Sequence, residues 1–201
     1  MYEYLSGKLI SKTPTTIILE NQGIGYQLTV PVSTFSSLPS TTEPVKVLTH
    51  FLVKEDAQSL YGFATEEERL MFRLLISVAG IGPKTAITAL SGVSILELKR
   101  AIIQGALAVL TGIPGIGKKT AERIIIELRE KIVIDEQAGE SKVTSAVTED
   151  QVVVEDSIQA LVELGYRKQN AKAAVKKVLE TNGGGVSHSV SDLIRESLKK
   201  I

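Results

Sequence analysis

The 201 residues suffice for one large domain or two to three small ones, and an apolar share of 43% is ample for a core. Cysteine is absent, which excludes disulfides and thiolate sites, and the only histidines, His50 and His188, lie too far apart in sequence to suggest a two-histidine metal site. Formal net charge is zero, so nucleic-acid binding would have to rest on placed groups and not on a bulk field.

That zero hides a distribution. Residues 65–134 hold 10 basic and 7 acidic residues and 151–201 hold 8 and 6, whereas 1–64 hold 4 and 5 and 135–150 hold 1 and 5. The N-terminal stretch Met1-Tyr2-Glu3-Tyr4 has neither a basic nor an apolar signal region. No apolar run approaches the ~18–20 residues of a membrane span. The expectation is a soluble, cytoplasmic protein with no membrane partner.

Residues 1–64 read as strands. Tyr2 to Ile10 is interrupted by Gly7, a bulge or tight bend. Thr15 to Glu20 and Gly25 to Val30 flank the turn Asn21-Gln22-Gly23. Pro31 to Pro44 reads as a loop with one helical turn; Val45 to Val53 and Ser59 to Phe63 are further strands. Five strands in this length suggest a small OB-type barrel. Single-strand binding by such barrels uses exposed aromatics. Aromatics are only 4% of this chain, so Tyr2, Tyr4, Tyr26, Phe51, Tyr61 and Phe63 are read as barrel core and edge. The acidic turn Glu55-Asp56 between the last two strands reads, on composition alone, as solvated.

Residues 65–134 read as helices. Thr65 and Glu68 form a capping box, with Glu66 and Glu67 in the first turn where the helix dipole favours them. Ser94 and Glu97 form another. Between and after these lies a stretch that occurs twice. Ala79-Gly80-Ile81-Gly82-Pro83-Lys84-Thr85-Ala86 returns about 35 residues later as Pro114-Gly115-Ile116-Gly117-Lys118-Lys119-Thr120-Ala121. Each copy reads as helix, Gly-Ile-Gly turn, helix. The glycines give backbone freedom and close approach, and the following helix start offers unpaired N–H groups and partial positive charge to an anion. The central isoleucine should plug back between the helices. Lys84 and Lys119 add charge in the first turn, and Arg123 shares a face with Lys119. The predicted phosphate-binding set is Gly80, Ile81, Gly82, Lys84 and Thr85 in one copy, and Gly115, Ile116, Gly117, Lys118, Lys119, Thr120 and Arg123 in the other.

Gly112 to Lys118 also imitates a phosphate loop, G-x-x-x-x-G-K, with Ile132 to Glu136 as a mock acidic strand. That reading needs a strand before the loop, yet Leu107 to Leu110 is helical in pattern. It puts Lys119 where Ser or Thr should hold magnesium, and it leaves the first copy unexplained.

Residues 135–150 are acidic and aperiodic, and read as a flexible linker. Residues 151–201 read as three short helices, Val152–Leu164, Gln169–Leu179 and Val190–Leu198, in a module of the kind that docks on a partner.

Three groups of residues carry a family resemblance over essentially the whole chain. They are the paired Gly-Ile-Gly hairpins with Gly117-Lys118-Lys119-Thr120-Ala121-Glu122-Arg123, the turn Glu55-Asp56-Ala57-Gln58 leading into Leu60-Tyr61-Gly62-Phe63, and Ala160-Leu161-Val162-Glu163-Leu164-Gly165-Tyr166. The chain resembles the RuvA family, the Holliday-junction-recognition subunits of bacterial RuvAB branch-migration complexes. The resemblance implies a four-fold homotetramer, sometimes doubled to an octamer, that holds a four-way junction open in recombination and repair. It implies an acidic pin at Glu55 and Asp56, and a C-terminal module, with Leu161, Leu164 and Tyr166, that docks on a RuvB-type hexameric ATPase. A RuvC-type resolvase would act in the same pathway. No catalytic residues, metal or cofactor are implied in the chain itself. The competing reading is a double-hairpin structure-specific nuclease or its non-catalytic partner. It would need clustered carboxylates for metals; outside the pin, Glu66-Glu67-Glu68 and Asp135-Glu136 are candidates, and both have structural explanations.

Overall fold

The computed structural model describes residues 2–140, 149–181 and 189–200. The chain divides into two compact units, residues 1–136 and 137–201.

The first unit opens with strands β1 (Tyr4–Thr13), β2 (Thr16–Asn21) and β3 (Ile24–Thr29), helix α1 (Val32–Ser37), and strands β4 (Pro44–Val53) and β5 (Gln58–Phe63). They close into a barrel in the order β1-β2-β3-β5-β4, antiparallel except for the β3–β5 junction, where Thr29 faces Tyr61. Period-two alternation sends Ile17, Leu19, Val45 and Val47 inward with Leu5, Leu9 and Leu28, so the barrel core is aliphatic. Gly7 lets β1 cross closely over β2: a Cβ there would sit 2.2 Å from the Glu20 carbonyl oxygen. The register shift itself comes later, between Leu9 and Ser11.

Helices α2 (Glu66–Ile76), α3 (Pro83–Gly92), α4 (Ile95–Gln104), α5 (Leu107–Thr111) and α6 (Lys118–Glu140) follow. Their buried faces make one core that includes Leu75, Leu90, Leu98, Ile102, Leu110 and Leu128. Phe63 belongs to this core and not to the barrel interior. Phe72 of α2 packs on the rings of His50, Tyr61 and Phe63 at centroid distances of 5.4, 5.0 and 5.0 Å. The aromatics therefore join barrel to helices, while Tyr2 and Tyr4 remain exposed.

The predicted helix caps form at Thr65 and Ser94, which accept from the N–H groups of Glu68 and Glu97. The Glu68 side chain departs from the capping-box expectation. It is buried, and its carboxylate accepts from the Ser33 hydroxyl, from the Thr34 hydroxyl at 2.6 Å and from the Ala64 N–H at 2.9 Å. A buried anion needs several donors, and α1 with the end of β5 supplies them. Beside it Arg69 donates to the Glu3 carbonyl at 2.9 Å and pairs with Glu66 at 2.7 Å and with the Glu3 carboxylate. These two polar clusters fasten α2 to the barrel.

Helix α6 continues to Glu140, so residues 135–140 extend the helix where the linker was expected to begin. The run from Glu127 to Ala138 contains no Gly or Pro to stop it. Residues 141–148 of that expected linker lie outside the described residues, as does the glycine run 183–185.

The second unit contains α7 (Glu149–Glu163), α8 (Lys168–Thr181) and α9 (Val190–Leu198) around Leu161, Ala171 and Val175. Ser189 caps α9 by accepting from the Asp192 N–H.

Candidate nucleic-acid interface

The two repeat copies fold alike, bond for bond. In the first, Val78 N–H donates to Leu75 O at 3.1 Å, Ile81 N–H to Val78 O at 3.1 Å, and Ala86 N–H to Gly82 O at 3.0 Å. In the second, Ile113 N–H donates to Leu110 O at 3.2 Å, Ile116 N–H to Ile113 O at 3.0 Å, and Ala121 N–H to Gly117 O at 2.9 Å. Gly80 and Gly115 take φ of +99° and +89°, a left-handed conformation that side chains disfavour. Ile81 and Ile116 are buried, as the plug reading required.

Each turn delivers the chain into a helix whose first N–H groups have no intrahelical acceptor. Gly82 caps α3 in extended conformation with Pro83 at the first helical position, and α6 begins at Lys118. Lys84, Lys118 and Lys119 are exposed beside these helix starts. Such a start, with exposed lysines and open glycines, can hold a phosphate oxygen by main-chain donors and by charge.

The copies also face each other reciprocally. A Cβ built on Gly115 would lie 3.4 Å from the Thr85 side chain, and one built on Gly80 would lie 3.8 Å from Thr120 Oγ1. Because Gly80 matches Gly115 and Thr85 matches Thr120, each turn lies beside the start of the other copy's exit helix, as a local two-fold would place it. One link is one-sided. Arg123 Nη1 donates to the Ala79 carbonyl at 3.3 Å, 44 residues away. Its counterpart Thr88 donates to Lys84 O in its own helix. Arg123 is thus on the lysine face as predicted and is also tied to the first turn, a contact that no local pattern announces.

Glu55 and Asp56 are exposed in the four-residue turn joining β4 to β5, closed by Lys54 N–H to Ala57 O at 2.8 Å. In the C-terminal unit Leu164 and Tyr166 reach the surface, whereas Leu161 is fully buried among its own helices. Leu161 therefore supports the module from inside and is not part of its surface.

The rival chemistries fit poorly. Leu107–Thr111 is helical and Ile132 lies on α6, so the imitation phosphate loop has neither of its strands. Glu66, Glu67 and Glu68 serve Arg69, Lys99 and the Ser33–Thr34–Ala64 donors respectively, and do not converge on one point. Among the described residues, no group of three or more His, Cys, Asp or Glu is placed to hold a metal ion. Among the same residues, no helix is long and apolar enough to cross a membrane.

Comparison with known proteins covers the same three regions. The family model described as RuvA N terminal domain matches residues 1–62, that of a SAM-like helix-hairpin-helix tandem matches 72–130, and that of the RuvA C-terminal domain matches 152–201. Curated relatives carry the name Holliday junction branch migration complex subunit RuvA. The one from Chlorobaculum parvum is 44% identical over 200 residues, 98% of this chain and 97% of the relative. That from Prosthecochloris aestuarii is 41% identical over 201 residues, 100% and 98% of the two chains. That from Albidiferax ferrireducens is 44% identical over 197 residues, 98% and 97%. A closed five-stranded barrel, a doubled hairpin domain and a three-helix module, aligned nearly end to end with these relatives, identify the chain as a member of the RuvA family.

Proposed function

We propose that this chain recognises four-way junction DNA and serves as the junction-binding subunit of a branch-migration complex, holding the arms for a RuvB-type hexameric ATPase. The observation that carries the reading is the pair of matching hairpins packed on one another with exposed lysines at both helix starts. Antiparallel strands of a duplex are themselves related by local dyads, so a two-fold pair of anion sites suits one phosphate on each strand. Neither copy aims an Asn, Gln or Arg fork at a groove, so binding is to backbone and indifferent to sequence.

In this reading the chain is not catalytic. It works as a homotetramer, doubled in some states, in the cytoplasm, and a RuvC-type resolvase acts on the same junctions. Glu55 and Asp56 converge near the tetramer axis. There their charge opposes the phosphates of a continuous duplex more than those of an open junction, whose strands diverge. The 151–201 module meets the ATPase through the exposed Leu164 and Tyr166. The name shared by the relatives, branch migration complex subunit, supports the assembly, and the separate C-terminal core supports a separate docking role.

Titration of labelled junctions and duplexes tests this. The full-length protein should prefer junctions. Exchange of Glu55→Gln with Asp56→Asn should strengthen duplex binding and lower the junction-to-duplex ratio, most at low salt where screening is weak. A ratio that stays at the wild-type value at two salt concentrations would return the turn to a merely solvated role.

A further inference from the structure

Arg123 stands on the exit helix of the second hairpin, yet its Nη1 donates to a carbonyl of the first turn, Ala79 O, at 3.3 Å. That carbonyl belongs to the Ala79–Gly80 peptide. In a trans peptide the Ala79 oxygen and the Gly80 N–H point to opposite sides of one plane, so holding the oxygen aims the N–H. Gly80 is exposed, its φ is +99°, and its N–H has no acceptor among the described residues. Glycine leaves such a plane freer to turn, and a bond from outside the turn limits that freedom. The guanidinium also polarises the carbonyl, which strengthens the N–H of the same peptide as a donor. The second turn lacks this hold. Thr88, the match of Arg123, donates to Lys84 O at 3.0 Å in its own helix, and no side chain among the described residues donates to the matching Pro114 carbonyl.

We infer that Arg123 is a positioning residue for the first hairpin: through Ala79 O it orients the exposed Gly80 N–H as a donor to a DNA phosphate. The first site thereby depends on a residue of the second copy. The inference rests on the phosphate-binding reading of the hairpins and deepens it. A guanidinium has five N–H donors, so the bond to Ala79 leaves others for a phosphate of the second hairpin. The two roles differ in which lysine Arg123 is coupled to. Positioning couples it to Lys84, 39 residues away on the other copy; a phosphate contact of its own couples it to Lys119, one helical turn away.

Full-length variants test this by junction affinity, with a thermal melt of each to establish folding. They are Arg123→Ala, Lys84→Ala, Lys119→Ala and the two doubles that pair Arg123→Ala with each lysine change. The amide resonances of Gly80 and Gly115 are followed in wild type and Arg123→Ala without DNA. Positioning predicts that Arg123→Ala weakens binding by on the order of ten-fold, the worth of one hydrogen bond from a charged donor. In the Lys84→Ala background the same change should cost clearly less, because the first site is already impaired. The Gly80 amide should shift in free Arg123→Ala, and the Gly115 amide should stay. An unmoved Gly80 amide overturns the inference. So does a loss that is undiminished by Lys84→Ala and diminished by Lys119→Ala, which would make Arg123 a phosphate ligand of its own hairpin alone. If Lys84→Ala binds as wild type, the phosphate reading of the first hairpin itself fails; if it weakens while the Gly80 amide stays, only the positioning role fails.

Discussion

The first hairpin enters its exit helix through Gly82-Pro83-Lys84, and the second through Gly117-Lys118-Lys119. Proline at the first helical position fixes φ and has no N–H to offer. The second hairpin has both that N–H and an extra exposed lysine, with Arg123 on the same helix. The first has Thr88 in the matching place, its hydroxyl folded onto its own helix. One backbone solution, set by glycines and buried isoleucines, thus carries two different charge complements: a stiffer, weakly charged site and a more strongly charged one. Shape and charge are specified by different residues, so they can be altered separately.

Substitutions at the turn glycines should have the largest effect, since they break the shape that both hairpins share. Gly115→Ala should cost about 1–2 kcal/mol, the usual penalty of a side chain in the left-handed region. Gly80→Ala should cost a similar amount, because both positions have positive φ and a Cβ at either would make only ordinary contacts, at 3.8 Å for Gly80 and 3.4 Å for Gly115. Denaturant midpoints measure both, and an unchanged midpoint for either would contradict the left-handed turn described.

Charge removal should separate the hairpins next. Lys118→Ala with Lys119→Ala should lower the slope of log affinity against log salt by about two, and Lys84→Ala by about one, evenly on junctions of unrelated sequence. Equal slopes for the two changes would mean that Lys118 faces away from DNA.

Making the first hairpin resemble the second is a subtler change. Pro83→Lys restores an N–H and a charge, so the salt slope should rise by about one. Stability should fall by roughly 0.4–1 kcal/mol as the unfolded chain regains freedom. A variant that loses junction affinity at low salt would show that the stiffness of the first site matters more than its charge.

The smallest effect contrasts both hairpins with the barrel. Burial against Phe72, then the charges of Arg73 and Arg69, push the His50 imidazole below its ordinary value of 6.5. Below that value the unfolded chain binds a proton that the folded chain resists, so stability falls as pH drops through 6.5 toward the depressed folded value. Thermal melts between pH 7 and 5 should show a decline that His50→Asn reduces. The proposed DNA contacts of the hairpins are lysine, arginine and main-chain groups, so the salt slope measured between pH 7 and 8 should not follow it. A slope that changed with pH there would place a titrating group at the DNA.

The helices of the hairpin domain and the five strands were legible because each carries its own period and its own stops. Thr65 and Ser94 start helices where their capping patterns lie, and Asn21-Gln22-Gly23 turns between the strands it separates. Less was legible in the side chains. Glu68 follows the capping-box pattern, yet its buried carboxylate also accepts from two hydroxyls more than 30 residues away, beside the Ala64 N–H just before the helix. Phe63 looks like a barrel residue and is buried among helices. Leu161, in the motif that marks the C-terminal module, is spent on that module's core.

By itself the sequence determined the doubled hairpin, since a Gly-Ile-Gly turn between two apolar helix faces dictates its backbone within a dozen residues. It also determined the lysines at each helix start and the acidic turn opposite them in charge. Only the tertiary structure decided that Thr85 lies beside Gly115, that Thr120 lies beside Gly80 and that Arg123 reaches Ala79. Local periodicity states which face of a helix is apolar. It does not state which other face will cover it, because that depends on the closed path of the whole chain and on which of several comparable contacts can be satisfied together.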